Sequence, residues 1–218
     1  MSDLKITDSH MVFEGMHWFR GGASSVRLAD HGRKRAPVLS VNYLEVQGSV
    51  PLSKMKIRKC AIIESDYAGV SEADLLANID VAGVFKGSSK TALKDLREGR
   101  IKLAQFAIDD EDLRAAANSA PNVIQRLIEY GNDARLVDTV FTVLEASTAE
   151  VFGTSESVSL SVDAGVVNLS VEGRVSGSSG ASTSLSAKET FSYGLAKLDW
   201  DEKKTKILLL KRDQWGLS

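Results

Sequence analysis

The chain has 218 residues, 43% of them hydrophobic and 26% charged, with a formal net charge of −2 and a single cysteine. This composition argues against global disorder, the small net charge provides no whole-molecule attraction to nucleic acid or anionic lipid, and one cysteine excludes an intrachain disulfide or a cysteine-rich zinc site. No apolar run follows Met1-Ser2-Asp3-Leu4-Lys5 and no window of about 18 apolar residues exists, so a cytoplasmic chain without signal peptide or transmembrane helix is expected, folded as one domain over residues 1–218.

The first 36 residues carry Phe13, Met16, Trp18 and Phe19 among glycines and end in the basic run Arg33-Lys34-Arg35, without clear periodicity. From Val38 to Val46 the β-formers Leu39, Val41 and Tyr43 alternate with Ser40 and Asn42 and predict a strand, as does Arg58 to Ile63. Ser71 and Asp74 before Leu75 and Leu76 resemble a capped helix start, and strands are expected over Asn78–Phe85 and Ile101–Ile108, with Ser88–Gly99 undecided between helix and extended hairpin. Asp109-Asp110 open a helix through Leu113 to Ala117. Pro121 starts a second helix with Val123, Ile124, Leu127 and Ile128 on one face and Gly131 as its stop. Strands follow over Leu136–Ala146, Glu189–Trp200 and, past the turn Asp201-Glu202-Lys203, Lys204–Leu210.

The most distinctive stretch runs from Thr154 to Ser186, where Ser, Thr and Gly alternate with Val and Leu. Val158, Leu160 and Val162 lie on one arm and Val167, Leu169, Val171 and Val175 on the next, with the parity changing across Asp163-Ala164-Gly165, so a long β-hairpin with one apolar and one polar face is expected. Ser176-Gly177-Ser178-Ser179-Gly180 reads as a loop tip. Such arms suit a half-buried sheet, and equally a lipid-facing strand of roughly 9 to 11 residues. The whole predicts an α+β fold: a twisted, mostly antiparallel sheet with long hairpins and a few helices packed on one side.

Motifs for chemistry are absent. His10, His17 and His31 are irregularly spaced with no ligand pattern, so no catalytic or metal role is expected of them, and Cys60 within a strand reads as a buried small hydrophobe. Gly83 to Thr91 ends in Lys-Thr, but Ser89 and Val84 stand where a phosphate loop requires glycine. No catalytic residue, cofactor or enzyme activity is therefore expected. The run Arg33-Lys34-Arg35 and the cluster Lys54, Lys56, Arg58 and Lys59 suit anionic headgroups, whereas nucleic-acid binding is not expected, because aromatics do not interleave with them.

Taken in order, the chain resembles the pore-forming domain of gasdermins. Pro121 to Glu129 is similar to the family's amphipathic helix. Val137 to Thr148, the Ser-rich hairpin, Ser192 to Leu198 and Ile207 to Lys211 follow in the family's order, and Ile62 to Tyr67 resembles a Val-Val-Glu-Ser-Asp-Phe stretch of animal members. Arg33-Lys34-Arg35 sits where those members carry basic residues before a strand. The resemblance implies a cytosolic protein that associates with membranes on activation, binds anionic lipids, homo-oligomerises there and inserts β-hairpins as a pore causing cell death, under an inhibitory or activating protein partner. Arg33, Lys34 and Arg35 would bind the membrane. Residues 154–176, carrying Val158, Leu160, Val162, Val167, Leu169 and Val171, would form one hairpin and roughly 80–108 the other. The alternative is a soluble cytoplasmic interaction or scaffold module with a related fold and no pore activity.

Overall fold

The computed structural model describes residues 5–6, 9–37, 41–51, 55–63, 98, 100–145, 157–163, 166–172, 182–185 and 190–214. The first of them form an antiparallel meander of β1 (Lys5–Ile6), β2 (His10–Phe13) and β3 (Met16–Phe19). Between β2 and β3 both turn residues, Glu14 and Gly15, have positive φ (52° and 73°), the two-residue turn whose twist matches its flanking strands. Next come β4 (Asp30–Arg35), β5 (Tyr43–Ser49), β6 (Ile57–Ile63) and β7 (Ile101–Ile108).

Two helices follow where the capping signals predict them. In α1 (Asp110–Asn118) the Asp109 carboxylate accepts the Glu111 backbone N–H at 3.1 Å, three acids occupy the first turn, and Leu113 and Ala117, one turn apart, are buried. In α2 (Pro121–Tyr130) proline opens the helix and Gly131, at φ 59°, closes it. Its buried stripe is Val123, Ile124 and Leu127. Ile128, expected on that face, is instead 40% exposed: Ile124 already lies at the margin of the stripe, at 9%, and the residue one turn further on falls outside it.

The remaining elements are β8 (Ala134–Glu145), β9 (Ser157–Asp163), β10 (Val166–Glu172), β11 (Ser182–Leu185), β12 (Thr190–Trp200) and β13 (Ile207–Arg212). Antiparallel β8 and β12 form the spine of a ten-stranded sheet. Each spine strand changes neighbour along its length. The outer side of β12 meets β3 at Tyr193 opposite Phe19 and then β13 over Ala196–Trp200, while β8 meets β7 over Thr139–Glu145 and β4 over Ala134–Leu136. Among the described residues all strand-to-strand pairings within this sheet are antiparallel, and the forked pairing accompanies its curl. The helices pack on one side, α2 against β4 and β8 and α1 against β13, over a core that includes Phe106, Leu113, Leu127, Leu136, Tyr193 and Leu195. The coarse expectation of an α+β fold with an antiparallel sheet and helices on one side is what the structure has.

The finer boundaries differ in places. β5 begins at Tyr43 and buries Leu44 (2% exposed) while Tyr43 is 38% exposed, so the inward face has the opposite parity to the one predicted over Val38–Val46. The cause is the register with β4, which pairs Lys34 with Leu44 and lets the Leu44 N–H reach the buried Tyr193 hydroxyl. The last strand starts at Ile207 rather than Lys204, because the Asp201 carboxylate accepts the N–H groups of Thr205 and Lys206 and extends the turn. Cys60 is exposed rather than buried: it is the unmatched residue where the β6 register slips between Lys59 opposite Phe106 and Ala61 opposite Gln105. The expected helix near Ser71, the strand over Asn78–Phe85, the Gly83–Thr91 segment, Val175 and the Ser176–Gly180 tip lie outside the described residues.

Two relationships organise the ends of the main sheet. First, β6, β7, β8 and β12 are neighbours in that order, and both chain excursions between them depart from the same end. Ile63 at the end of β6 faces Leu103, Ile101 at the start of β7 faces Glu145 at the end of β8, and Thr190 at the start of β12 faces Thr142. Segments 64–100 and 146–189 therefore both connect at that end. Second, the Asn118 side chain accepts the Ile207 N–H and donates to the Ile207 carbonyl, both at 2.9 Å, imitating a neighbouring strand at the start of β13.

Candidate functional site

Within segment 146–189, β9, β10 and β11 form a second, three-stranded antiparallel sheet beside β6. Asp163 pairs with Val166, leaving two residues for the turn, and the register sets Val162 opposite Val167, Leu160 opposite Leu169 and Val158 opposite Val171. All six positions named from the sequence thus lie in three directly facing pairs on one face of the hairpin. Ser159 opposite Ser170 and Ser161 opposite Asn168 alternate with them on the other face. Leu185 of β11 faces Val167, extending the apolar row, while Ser182 faces Ser170 and Ser184 faces Asn168. Of the second expected hairpin, roughly 80–108, residues 101–108 form β7 in the main sheet. Most of the remainder lies outside the described residues.

The basic run closes β4, and strand alternation divides it. Arg33 and Arg35 lie on one side of the strand and Lys34 on the other, so the three cations do not form one patch. Arg33 extends over the Tyr130 ring at 5.3 Å and donates to the Glu129 carbonyl at 3.2 Å. Arg35 is paired with Glu45 (Nε to Oε2, 2.6 Å) in the open, an arrangement that holds its guanidinium above the ordinary pKa.

Lys34 is buried. Its Nζ lies 4.7 Å from the Phe19 ring centroid and 2.9 Å from Asp213 Oδ2, which also accepts from Arg135 Nε at 2.6 Å. The side chains of Lys34, Arg135 and Asp213 are 2–7% exposed, and burial pulls the Lys34 pKa down against the opposing pull of Asp213. Arg135 Nη1 donates in addition to the carbonyls of Asn132 (2.6 Å) and Ala134 (2.8 Å), which fixes the guanidinium plane.

Asp213 belongs to three consecutive residues that fasten the chain at and after the end of β13. Arg212 stacks on Trp18 at 4.4 Å and reaches Asp138 Oδ2 at 3.6 Å. The Asp213 N–H donates to the Leu195 carbonyl at 2.8 Å. The Gln214 side-chain amide both accepts from the His17 N–H (3.0 Å) and donates to its carbonyl (2.9 Å). Nothing in the local sequence marks these residues, because their partners lie on β3, β4, β8 and β12.

Asp138 is the unmatched residue between Thr139 opposite Gly194 and Val137 opposite Leu195. Its carboxylate is fully enclosed and Oδ1 has no hydrogen-bond partner among the described residues, so burial raises its pKa against the pull of Arg212. Asp30 is likewise buried and pushed up to about 6 by desolvation, although Ser49 Oγ and the Arg27 N–H donate to it. The neighbouring His31 is held below its ordinary value by burial and then by Arg126. His10 and His17 stack at 4.9 Å between ring centroids. The Cys60 thiol is pushed up by desolvation despite nearby Arg58 and Arg212, the reverse of an activated nucleophile. Among the described residues no three His, Cys, Asp or Glu side chains converge as metal ligands, and no helix is long and apolar enough to cross a membrane.

The chain matches no family model, no curated protein and no solved structure.

Proposed function

We propose that this is a membrane-targeting pore-forming protein, similar in action to gasdermin pore-forming domains, that oligomerises on anionic membranes and inserts β-hairpins, causing cell death. The observation that carries this function is the shared exit of segments 64–100 and 146–189 from one end of the contiguous antiparallel run β6, β7, β8 and β12. Extending those four strands in register would convert both segments into hairpins lying side by side. Each segment has the length for two arms of the roughly 9 to 11 residues that a transmembrane strand needs. Strands joined edge to edge around a ring satisfy every backbone group in lipid, which a single open hairpin cannot do. The facing pairs Val158–Val171, Leu160–Leu169 and Val162–Val167 would provide the lipid side and the Ser-rich positions the water side.

Pore formation needs no catalytic residue, cofactor or metal. It takes anionic lipid and further copies of the same chain as partners, with an inhibitory or activating protein as the means of control. The protein would act from the cytoplasm and become membrane-associated on activation.

The test is dye release from phosphatidylcholine vesicles with and without phosphatidylglycerol, with co-sedimentation scoring association. Release selective for the anionic vesicles is expected; full association without release would overturn pore formation. A soluble scaffold role is the second reading. It is favoured by Leu208 and Leu209, 55% and 50% exposed on β13, a strand whose partner in the main sheet is β12.

A further inference from the structure

Two cations of this chain converge on one buried oxygen. Lys34 Nζ and Arg135 Nε both donate to Asp213 Oδ2, at 2.9 and 2.6 Å, and the remaining Arg135 contacts are to fixed backbone carbonyls. An ammonium and a guanidinium directed at a single anionic oxygen is the arrangement that recognises a phosphate oxygen. The oxygen here comes from the segment that follows β13. Asp213 is the carboxylate that both cations contact, and the next residue, Gln214, is exposed. Withdrawing Asp213 would take from the two cations the carboxylate oxygen they share and open that position to another anion.

We infer that Asp213 is a displaceable internal anion, and that Lys34 and Arg135 form a masked site for a phosphate group that opens when residues 212–214 lift from the sheet. The phosphate can belong to a lipid headgroup or be free in solution. With a headgroup as ligand, the inference deepens the proposed membrane function and rests on it for its biological setting. It also gives Lys34 a role distinct from its neighbours: Arg33 and Arg35 occupy the other side of β4, one over Tyr130 and the other paired with Glu45, so they can touch a surface while Lys34 waits behind Asp213. The contacts that must release together include those of Arg212 with Trp18 and Asp138, of the Asp213 N–H with the Leu195 carbonyl, and of Gln214 with the His17 backbone. The mask is therefore cooperative.

The experiment compares full-length wild type with Asp213→Asn and Lys34→Met by co-sedimentation on phosphatidylcholine vesicles and on vesicles mixed with phosphatidylglycerol. Folding is checked by circular dichroism, and inorganic phosphate is the soluble probe in thermal melts. Asp213→Asn is expected to bind the anionic vesicles roughly tenfold or more tightly than wild type, since it releases two cations toward the surface. Lys34→Met, which keeps the Arg135–Asp213 pair and so its fold, is expected to bind them several-fold more weakly. A phosphate-induced rise in the melting temperature of Asp213→Asn, without tighter vesicle binding, would identify free phosphate as the ligand and retain the site. Unchanged vesicle affinity and no phosphate response in folded Asp213→Asn would overturn it. Should that variant not fold, unchanged vesicle affinity of Lys34→Met would overturn it instead. Binding is scored apart from leakage, so tighter binding without dye release would sustain this site while removing the pore, and dye release with unaltered variants would do the reverse.

Discussion

The Tyr193 hydroxyl donates to the Gly21 carbonyl at 2.6 Å, and from the spine strand β12 it thereby anchors the loop that follows β3. The same oxygen accepts the Leu44 N–H at 3.1 Å, so one phenol joins the loop, β5 and the spine. Tyr193→Phe leaves the buried Leu44 N–H without its acceptor and is expected to lower stability by about 1–3 kcal/mol, read as a lower urea midpoint at unchanged slope. Burial pushes the phenol pKa far up. Its stabilisation is therefore complete below the unfolded value of about 10 and lost as pH rises beyond it, so wild type should lose more stability between pH 9 and 11 than Tyr193→Phe.

Asp30 gives a second pH signature, of the same sign but at lower pH. Its folded value of about 6 lies above the ordinary 3.8, so its contribution is fully present below about pH 4 and is lost as pH rises through 6. The difference amounts to about 3 kcal/mol. His31 shifts in the other direction, its pKa lowered by burial and then by Arg126. The test is therefore the difference between wild type and Asp30→Asn: that difference should shift in favour of wild type as pH falls from 7.5 to 4.5. A pH-independent difference would mean that Asp30 does not titrate in this range.

Gly194 lies against Asp138 where the spine register slips. A Cβ there would stand 2.5 Å from Asp138 Oδ1 and 3.1 Å from Trp18. Gly194→Ala should cost about 1–3 kcal/mol through forced displacement of these neighbours. Asp138→Ala, which removes the side-chain atom in the way, should make the added cost of Gly194→Ala smaller in the double variant, as a thermal-melt cycle would reveal.

For the hairpin, Leu160→Lys and Leu169→Lys place a charge at the middle of the row of facing pairs. At the midplane of a bilayer each is expected to cost about 2–4 kcal/mol, so dye release should fall by more than tenfold while vesicle association and the circular dichroism spectrum stay as in wild type. Equal loss of association and release would attribute the effect to folding.

Much of this was legible in the sequence where a signal is local. Pro121 and Gly131 bracket α2, Asp109 caps α1, and the alternation from Val158 to Val171 predicted a hairpin whose two arms pair apolar to apolar. The inward parity of β5 was not legible, because Tyr43 and Leu44 are both good strand formers and only the partner strand decides which one faces inward. Nor could any periodicity reveal that Lys34 meets Asp213, 179 positions away, or that Arg212 reaches the buried Asp138. A basic tripeptide reads as a patch until alternation divides it between two sides.

Asn118 imposes a boundary on the molecule. By filling both bonding positions of Ile207 with one side chain, α1 covers the backbone at the start of β13, just before the exposed Leu208 and Leu209. A strand added along this flank would find its first open bonding position beyond Ile207, as a zip engages only past the teeth already covered.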